Sequence, residues 1–212
     1  MRNKREKVLI FGAGGHGKVV LDILLESGTD VQGFIDDDKS KAGKKVRGFK
    51  ILGGWSCIEK GIRSQIALGI GDNVIRKNVF NRAKRIGLTV IFAVHPKAVV
   101  SKDVKIGEGV VIMPGAIVNP GVVLEDGVVI NTAASVDHDC RLEKFCQIWP
   151  GAHLAGSVKV GEFSYIGTGV SVIPNIKIGK KTIVGAGAVV ICDAPDNVTI
   201  VGNPGRVIKT NG

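Results

Sequence analysis

Aromatic side chains are scarce in this chain: one tyrosine, two tryptophans and seven phenylalanines, 5% of 212 residues. That leaves no row of stacking platforms for single-stranded nucleic acid, so the net charge of +10 is not read as a nucleic-acid interface. Acidic residues are in deficit too, 19 against 29 Lys and Arg. The excess is scattered over Arg2, Lys4, Arg5 and Lys7, over Lys39, Lys41, Lys44 and Lys45, and over Lys177, Lys180 and Lys181, which suits a phosphorylated small molecule. No stretch approaches the ~20 apolar residues of a membrane-spanning helix, and no long apolar run precedes Lys7. The expectation is a reduced, cytoplasmic protein without membrane insertion. Cys57, Cys140, Cys146 and Cys192 form no C-x-x-C pair, so no metal site is expected.

What is abundant is a repeat. From Val94 an aliphatic residue recurs every six positions, through Val100, Ile106, Ile112, Val118, Leu124 and Ile130, and onward without a missed step to Val184 and Val190. Four residues after each stands a side chain no bulkier than isoleucine, as at Ala98, Ala116, Ala134, Cys140, Cys146, Ala152, Ser164 and Ala188. A period of six fits neither a helix at 3.6 nor a strand at two, but it fits a chain that makes a short strand and turns a corner. Three hexads per coil would stack residues eighteen apart at the ~4.8 Å spacing of paired strands. The first column would fill the prism and the small second column its tight parts. Gly107, Gly115, Gly121, Gly127, Gly151, Gly161, Gly167, Gly179 and Gly185 are expected to support the corners.

The hexads start only at Val94, so residues 1–93 are expected to form one domain and 94–212 another. The first opens with an apolar strand, Lys7-Val-Leu-Ile-Phe11, then Gly12-Ala-Gly-Gly-His-Gly17, then a helical pattern from Lys18 to Leu25. A glycine turn between strand and helix brings a phosphate to the N–H groups at the helix start. A second strand, Val31–Ile35, ends in Asp36-Asp37-Asp38, and a third unit runs from Gln65 through Gly71-Asp72-Asn73 into a helix ending near Ile86. A nicotinamide-dependent enzyme is the alternative, but the segment before the repeats is half a dinucleotide fold and suits a mononucleotide or nucleotide-sugar better.

The order of these parts resembles a known family, the left-handed β-helix acyltransferases with hexapeptide repeats. Within it the chain is similar to the bacterial sugar O- and N-acetyltransferases that include the nucleotide-linked 4-amino-4,6-dideoxysugar N-acetyltransferases, with sialic acid O-acetyltransferases as a sister branch. The carrying motifs are Gly12 to Gly17, Asp36-Asp37, Gly69-Ile-Gly-Asp-Asn73 with Arg76, Asn131-Thr, Asp137-His-Asp139 and Gly202-Asn-Pro-Gly-Arg206. The resemblance implies a Rossmann-like α/β half domain followed by a left-handed parallel β-helix. It implies Gly14, His16, Asp36, Asp37, Gly71, Asn73, Arg76 and Asn131 as contacts for the nucleotide-sugar, acetyl-CoA as donor, and a homotrimer whose neighbouring solenoids share the pocket.

The residues themselves single out His138, third in its hexad and flanked by two carboxylates that orient the ring and raise its pKa. Coil arithmetic puts Gly156 one turn beyond it, where a backbone N–H could receive a developing oxyanion; the resemblance assigns that glycine the same role. Direct transfer is then expected, with His138 as base, Asp139 orienting it and Gly156 opposite. His153 reads as a corner residue. Gly167, Ala186 and Gly187 are coenzyme A candidates, with Lys177, Lys180 or Lys181 near its phosphates. Gln147, where relatives often carry histidine, is a further donor-side candidate, and Trp149 stands where they carry a small residue. A non-catalytic nucleotide-binding solenoid is the reading from another class.

Overall fold

A computed structural model describes residues 7–59 and 65–211; Arg2, Lys4 and Arg5 of the first basic cluster lie outside them. The chain divides into two compact units, Met1–His95 and Pro96–Gly212.

The first unit is an α/β sheet in the order β3-β4-β2-β1-β5. Its strands are β1 (Val8–Phe11), β2 (Val31–Ile35), β3 (Lys45–Val46), β4 (Phe49–Gly53) and β5 (Gln65–Leu68), and its helices α1 (Gly15–Glu26), α2 (Ser56–Glu59) and α3 (Asn73–Arg85). β1, β2, β4 and β5 are parallel, and β3 adds an antiparallel edge. The middle strand β1 is apolar and buried throughout, as a buried parallel strand is, and Val8, Leu9, Ile10, Phe34, Ile35 and Ile66 are almost wholly enclosed. Because β1 lies between β2 and β5, its carboxyl end is the switch point where such sheets hold ligands. The β3–β4 hairpin turns through Arg47 and Gly48, both at positive φ (48° and 87°), as a two-residue hairpin loop requires.

The second unit is a left-handed parallel β-helix. Two-residue strands recur every six residues and pair in parallel at a step of eighteen, as in Ile117↔Ser135↔His153↔Ser171↔Val189. Three flat faces result. Face one carries Val111, Val129, Gln147, Tyr165 and Ile183; face two carries Val99, Ile117, Ser135, His153, Ser171 and Val189; face three carries Lys105, Val123, Arg141, Lys159 and Lys177. Both predicted columns point inward. From Ile112 to Val190 the first is buried, and from Val110 to Ala194 so is the second, with Ser164 and Thr182 among it. Those two hydroxyls donate to the carbonyls of Gly179 and Pro195, which removes the cost of burying them. At the last coil the step shortens: Ile183 pairs with Thr199 and the antiparallel strand Arg206–Thr210 closes the sheet.

The glycines divide by position. From Gly109 to Gly187 the left-handed corner residue is fourth in the hexad: Gly115, Gly121, Gly127 and Gly151 stand there at φ 64–75°. So do Ala133, Asp139, Phe145, Ser157 and Asn175, which accept that conformation at a cost of roughly 1 kcal/mol each. Gly107, Gly161, Gly167, Gly179 and Gly185 are second in their hexads and absent from the positive-φ set. They are glycine because the next coil lies against them, as where a Cβ on Gly161 would come within 2.6 Å of the Gly179 carbonyl carbon. Among the described residues no helix is long and apolar enough to cross a membrane, and no cluster of His, Cys, Asp and Glu is arranged to hold a metal ion.

Candidate active site

At the carboxyl end of β1 three glycines pack backbone to backbone. A Cβ on Gly12 would lie 2.5 Å from the carbonyl oxygen of Gly69, one on Gly69 would lie 2.7 Å from that of Gly12, and one on Gly17 would collide with the same Gly12 oxygen. Gly14, by contrast, opens on free space and caps α1 without a side-chain hydrogen bond, so the N–H groups of the first turn keep the positive end of the helix dipole uncovered. Asp36 ties this loop to β2: Oδ2 accepts from the Ala13 N–H at 2.9 Å and from Lys41 Nζ at 2.9 Å, and Oδ1 from the Asp38 N–H at 3.0 Å. Burial opposes its charge, but these bonds outweigh burial and hold its carboxyl below the usual range. Asp37 Oδ1 accepts from the Trp55 N–H at 3.4 Å.

The Gly71 turn is braced from inside. Arg76 is 0% exposed, with its guanidinium donating to the carbonyls of Ile70 (3.2 Å) and Gly71 (2.9 Å) and to Asn73 Oδ1 (2.6 Å). Arg76 and the equally buried Asn73, expected from the resemblance to touch the nucleotide, therefore spend those polar atoms on shaping the loop. Burial pushes the pKa of His16 down to about 4, with the Arg76 charge adding to it, so the imidazole is neutral at pH 7. Its Nε2 is enclosed and among the described residues has no hydrogen-bond partner, an unsatisfied buried polar atom of the kind a bound ligand completes.

In the solenoid, His138 and Gly156 meet at the edge between faces two and three. A Cβ on Gly156 would lie 2.6 Å from both Cε1 and Nε2 of His138, so the ring lies flat over the glycine one coil above. Nδ1 is 2.9 Å from Asp139 Oδ2, which assigns the Nδ1–H tautomer and leaves Nε2 as the acceptor. The Asp139 hydrogen bond, then the Asp137 charge, raises the pKa of His138. Ring and carboxylate are open, at 59% and 67% side-chain exposure. Other turn amides at the Gly156 position are capped: Glu108 N–H by Asp126, Glu162 N–H by Glu143 and Lys180 N–H by Asp196. Among the described residues the Gly156 N–H has no protein acceptor.

Sequence reasoning overlooked Asn119, whose Nδ2 donates to Asp137 Oδ1 at 2.8 Å. The step of eighteen that found Gly156 also leads from Asp137 back to Asn119. His153 is not at a corner: it is in a strand of face two, with Nδ1 2.8 Å from Ser135 Oγ. The thiol of Cys140 donates to the Ala155 carbonyl, and burial pushes its pKa to about 11, which makes it inert.

The coenzyme candidates lie elsewhere. Gly167, Ala186 and Gly187 follow face-one strands and occupy the edge between faces one and two; Asn131, expected to touch the nucleotide-sugar, is on the same edge, as is Trp149, 40% exposed and set edge-on to Tyr165. Gly167 and Ala186 touch, since a Cβ on the glycine would meet the Ala186 nitrogen at 2.8 Å. Gln147 is buried in face one, and among the described residues its Oε1 has no hydrogen-bond partner. Lys177, Lys180 and Lys181 belong to face three and its far edge. Within one chain, then, His138 and Gly156 stand on one edge of the prism, the donor-side small residues on another, and the lysines beyond both.

Known proteins carry the same parts. Residues 7–83 match the family described as PglD N-terminal domain, and residues 97–138 the bacterial transferase hexapeptide (six repeats). The acetyltransferase domain of PglB from Neisseria gonorrhoeae FA1090, solved in complex with acetyl coenzyme A, is 40% identical with a TM-score of 0.91, over 96% of this chain and 100% of that one. A histidine-to-asparagine variant of perosamine N-acetyltransferase from Caulobacter crescentus, in complex with CoA and GDP-perosamine, is also 40% identical with a TM-score of 0.91, over 96% and 97%. UDP-N-acetylbacillosamine N-acetyltransferase of Bacillus subtilis is 38% identical over 114 residues, 51% of each chain, and an uncharacterized mimivirus protein is 34% identical over 48% of this chain and 20% of its own length; the matches thus span about half of the first relative and a fifth of the second. On the two matching families and on 40% identity across nearly its whole length, the chain belongs to the left-handed β-helix, hexapeptide-repeat family of sugar acetyltransferases.

Proposed function

We propose that the protein transfers an acetyl group from acetyl-CoA to the 4-amino group of a nucleotide-linked 4-amino-4,6-dideoxysugar, with UDP as the nucleotide, supplying bacterial surface glycans from the cytoplasm. The observation that carries this reading is the imidazole of His138, oriented by Asp139 and lying on Gly156, whose N–H is uncapped among the described residues. Nε2 of His138 takes a proton from the attacking amine while Nδ1–H stays on Asp139. The amine nitrogen bonds to the thioester carbonyl carbon, and the carbonyl oxygen, now an oxyanion, is received by the Gly156 N–H. When the tetrahedral intermediate collapses the C–S bond breaks, and the thiolate leaves with the proton held by His138. No covalent enzyme intermediate is required. The relatives named for UDP- and GDP-linked sugars support the substrate class.

The nucleotide would be held by the Gly14 end of α1, with His16 Nε2 gaining a partner, and with Asp36, Asp37, Gly71, Asn73 and Arg76 keeping the loops in shape. Gly167, Ala186 and Gly187 would let pantetheine lie close to the backbone, and Gln147 Oε1 would accept from a donor-side N–H. Because the base and these residues stand on different edges of one prism, the site closes only when a second copy presents its donor edge to the His138 edge of the first. A ring of three copies satisfies that requirement without leaving an open edge.

The test is release of free CoA from acetyl-CoA with UDP-, GDP- and dTDP-linked 4-amino sugars and free sialic acid as acceptors, for wild type and His138→Ala. An N-acetylated nucleotide sugar and a loss of about 100-fold or more in kcat/KM are expected. A loss below about tenfold, or ~1.4 kcal/mol of transition-state stabilisation, removes His138 from the reaction. Transfer to sialic acid alone replaces the amine by a hydroxyl acceptor.

A further inference from the structure

His138 and Asp139 are both largely open to solvent, so packing does not fix them. What fixes them is the turn they stand on, and that turn is built on the coil beneath. Asp137 Oδ1 accepts two hydrogen bonds, one from the His138 N–H at 2.8 Å and one from Asn119 Nδ2 at 2.8 Å. Asn119 is locked in turn, since its own N–H donates to the Val136 carbonyl at 3.0 Å. One carboxylate oxygen thus ties the backbone nitrogen of His138 to a side chain of the previous coil. Without Asn119 that carboxylate would be free to rotate about χ1 and release the amide.

The same coil makes room for Asp139. A Cβ on Gly121 would lie 2.5 Å from Asp139 Oδ1, and Gly121 is held at φ 75° with its N–H on Asp103 Oδ2 at 2.8 Å. Asp103 is itself fixed by the Ser101 hydroxyl at 2.7 Å. The dyad therefore stands between two glycines, Gly121 below its carboxylate and Gly156 above its imidazole, with Asn119 as the bond that sets the angle of the turn.

We infer that Asn119, acting through Asp137, is a positioning residue that holds the His138 ring over Gly156 for acyl transfer. The inference rests on His138 being the base. Asn119 acts on the reaction entirely through the Asp137 oxygen.

The experiment is a double-mutant cycle on the full chain: wild type, Asn119→Ala, Asp137→Ala and the double variant, with His138→Ala as reference and Asn119→Asp as a same-sized variant that removes the donor. kcat, KM for each substrate and apparent melting temperature are measured by CoA release and thermal scanning. Asn119→Ala and Asn119→Asp are expected to lower kcat about tenfold, since a misplacement of about 1 Å costs about 100-fold and a loosened turn displaces the base by only part of that, with both KM values within about twofold of wild type. In the Asp137→Ala background the Asn119 substitution is expected to change kcat by less than about twofold, because the path is already cut. Multiplicative effects of the two substitutions overturn the inference. So does an Asn119→Ala enzyme within about twofold of wild type, or one whose kcat and both KM values deteriorate together with a large fall in melting temperature, which marks a merely structural bond. An active His138→Ala enzyme overturns the proposed base and this inference with it; an inactive one beside a normal Asn119→Ala enzyme overturns this inference alone.

Discussion

Replacing Gly156 by alanine separates the chemistry of the His138 edge from its stability. Gly156 is not among the positive-φ residues, so alanine meets no backbone strain there, and the lost freedom of the unfolded chain favours the variant by about 0.4–1 kcal/mol. The new methyl carbon would lie 2.6 Å from Cε1 and Nε2 of His138, whereas ordinary contact begins at 3.4 Å. The ring must therefore retreat by about 0.8 Å, and because it is 59% exposed it can do so by rotating into water. A base misplaced by roughly that distance costs about 100-fold, or about 2.7 kcal/mol. Gly167 supplies the contrast. A Cβ there meets backbone, Val184 O at 2.6 Å and Ala186 N at 2.8 Å, so the coil itself must open, at about 1–3 kcal/mol. Gly156→Ala is expected to keep its apparent melting temperature within about 3 °C, while Gly167→Ala loses roughly 3–10 °C; kcat/KM for acetyl-CoA is followed by CoA release. A Gly156→Ala enzyme that melts normally and retains more than a third of wild-type kcat/KM would refute the placement of His138 as the base.

The remaining expectations follow from charge and geometry. Asp137→Asn removes a charge that raises the His138 pKa, so the acid limb of the kcat/KM profile, set by a base that must be neutral, moves to lower pH; a limb that stays or rises contradicts this. His16 has a folded pKa of about 4 against 6.5 unfolded, so the folded state binds fewer protons in between, and stability present above pH 6.5 falls toward pH 4 by up to about 3 kcal/mol. Denaturant unfolding of His16→Gln at pH 7 and pH 4.5 should lack most of that loss. Ser135→Ala, which deletes the hydroxyl bonded to His153, should leave kcat/KM within about twofold, since direct transfer uses no serine; a loss above tenfold or a trapped acyl-serine would make that pair the nucleophile. Co-expressing His138→Ala with Ala186→Trp should restore about a quarter of wild-type activity if each site takes one edge from each of two copies, and none if one chain suffices.

The solenoid was legible because a single number, six, fixes where the chain turns. Both inward columns are buried where the hexads place them, and residues eighteen apart are paired. The glycines were harder to read. Gly115 and Gly161 look alike in sequence, yet the first is held at φ 72° and the second is pressed against Gly179; only position within the hexad separates them, and Asp139, Phe145 and Asn175 hide the corner by tolerating φ of 57–65° without being glycine. In the α/β unit the strands on either side of α1 could be read from apolar runs. The β3–β4 hairpin could not, because its turn is Arg47-Gly48 rather than Asn-Gly, and its residues Lys45, Val46, Phe49 and Lys50 alternate too briefly for a period.

Sequence spacing along a coil predicts contact between coils, but says nothing of which side of a buried group its polar atoms take. The step of eighteen was enough to put His138 over Gly156, and applied to Asp137 it would have reached Asn119. It could not show that Arg76 turns its guanidinium inward to Ile70, Gly71 and Asn73, because a charged residue on a helix reads as a surface group until its partners are seen. Nor could it show that Asp36, placed like an acid that grips a ribose, already binds the Ala13 N–H and Lys41. Both residues act on the glycine loops from behind, while the backbone at Gly14 opens on free space and the enclosed Nε2 of His16 has no partner among the described residues. Recognition there would rest on main-chain N–H groups and one neutral imidazole, a combination that reads phosphate and hydrogen-bond donors rather than net charge, which is why the +10 of the chain is a poor guide to where its substrate sits.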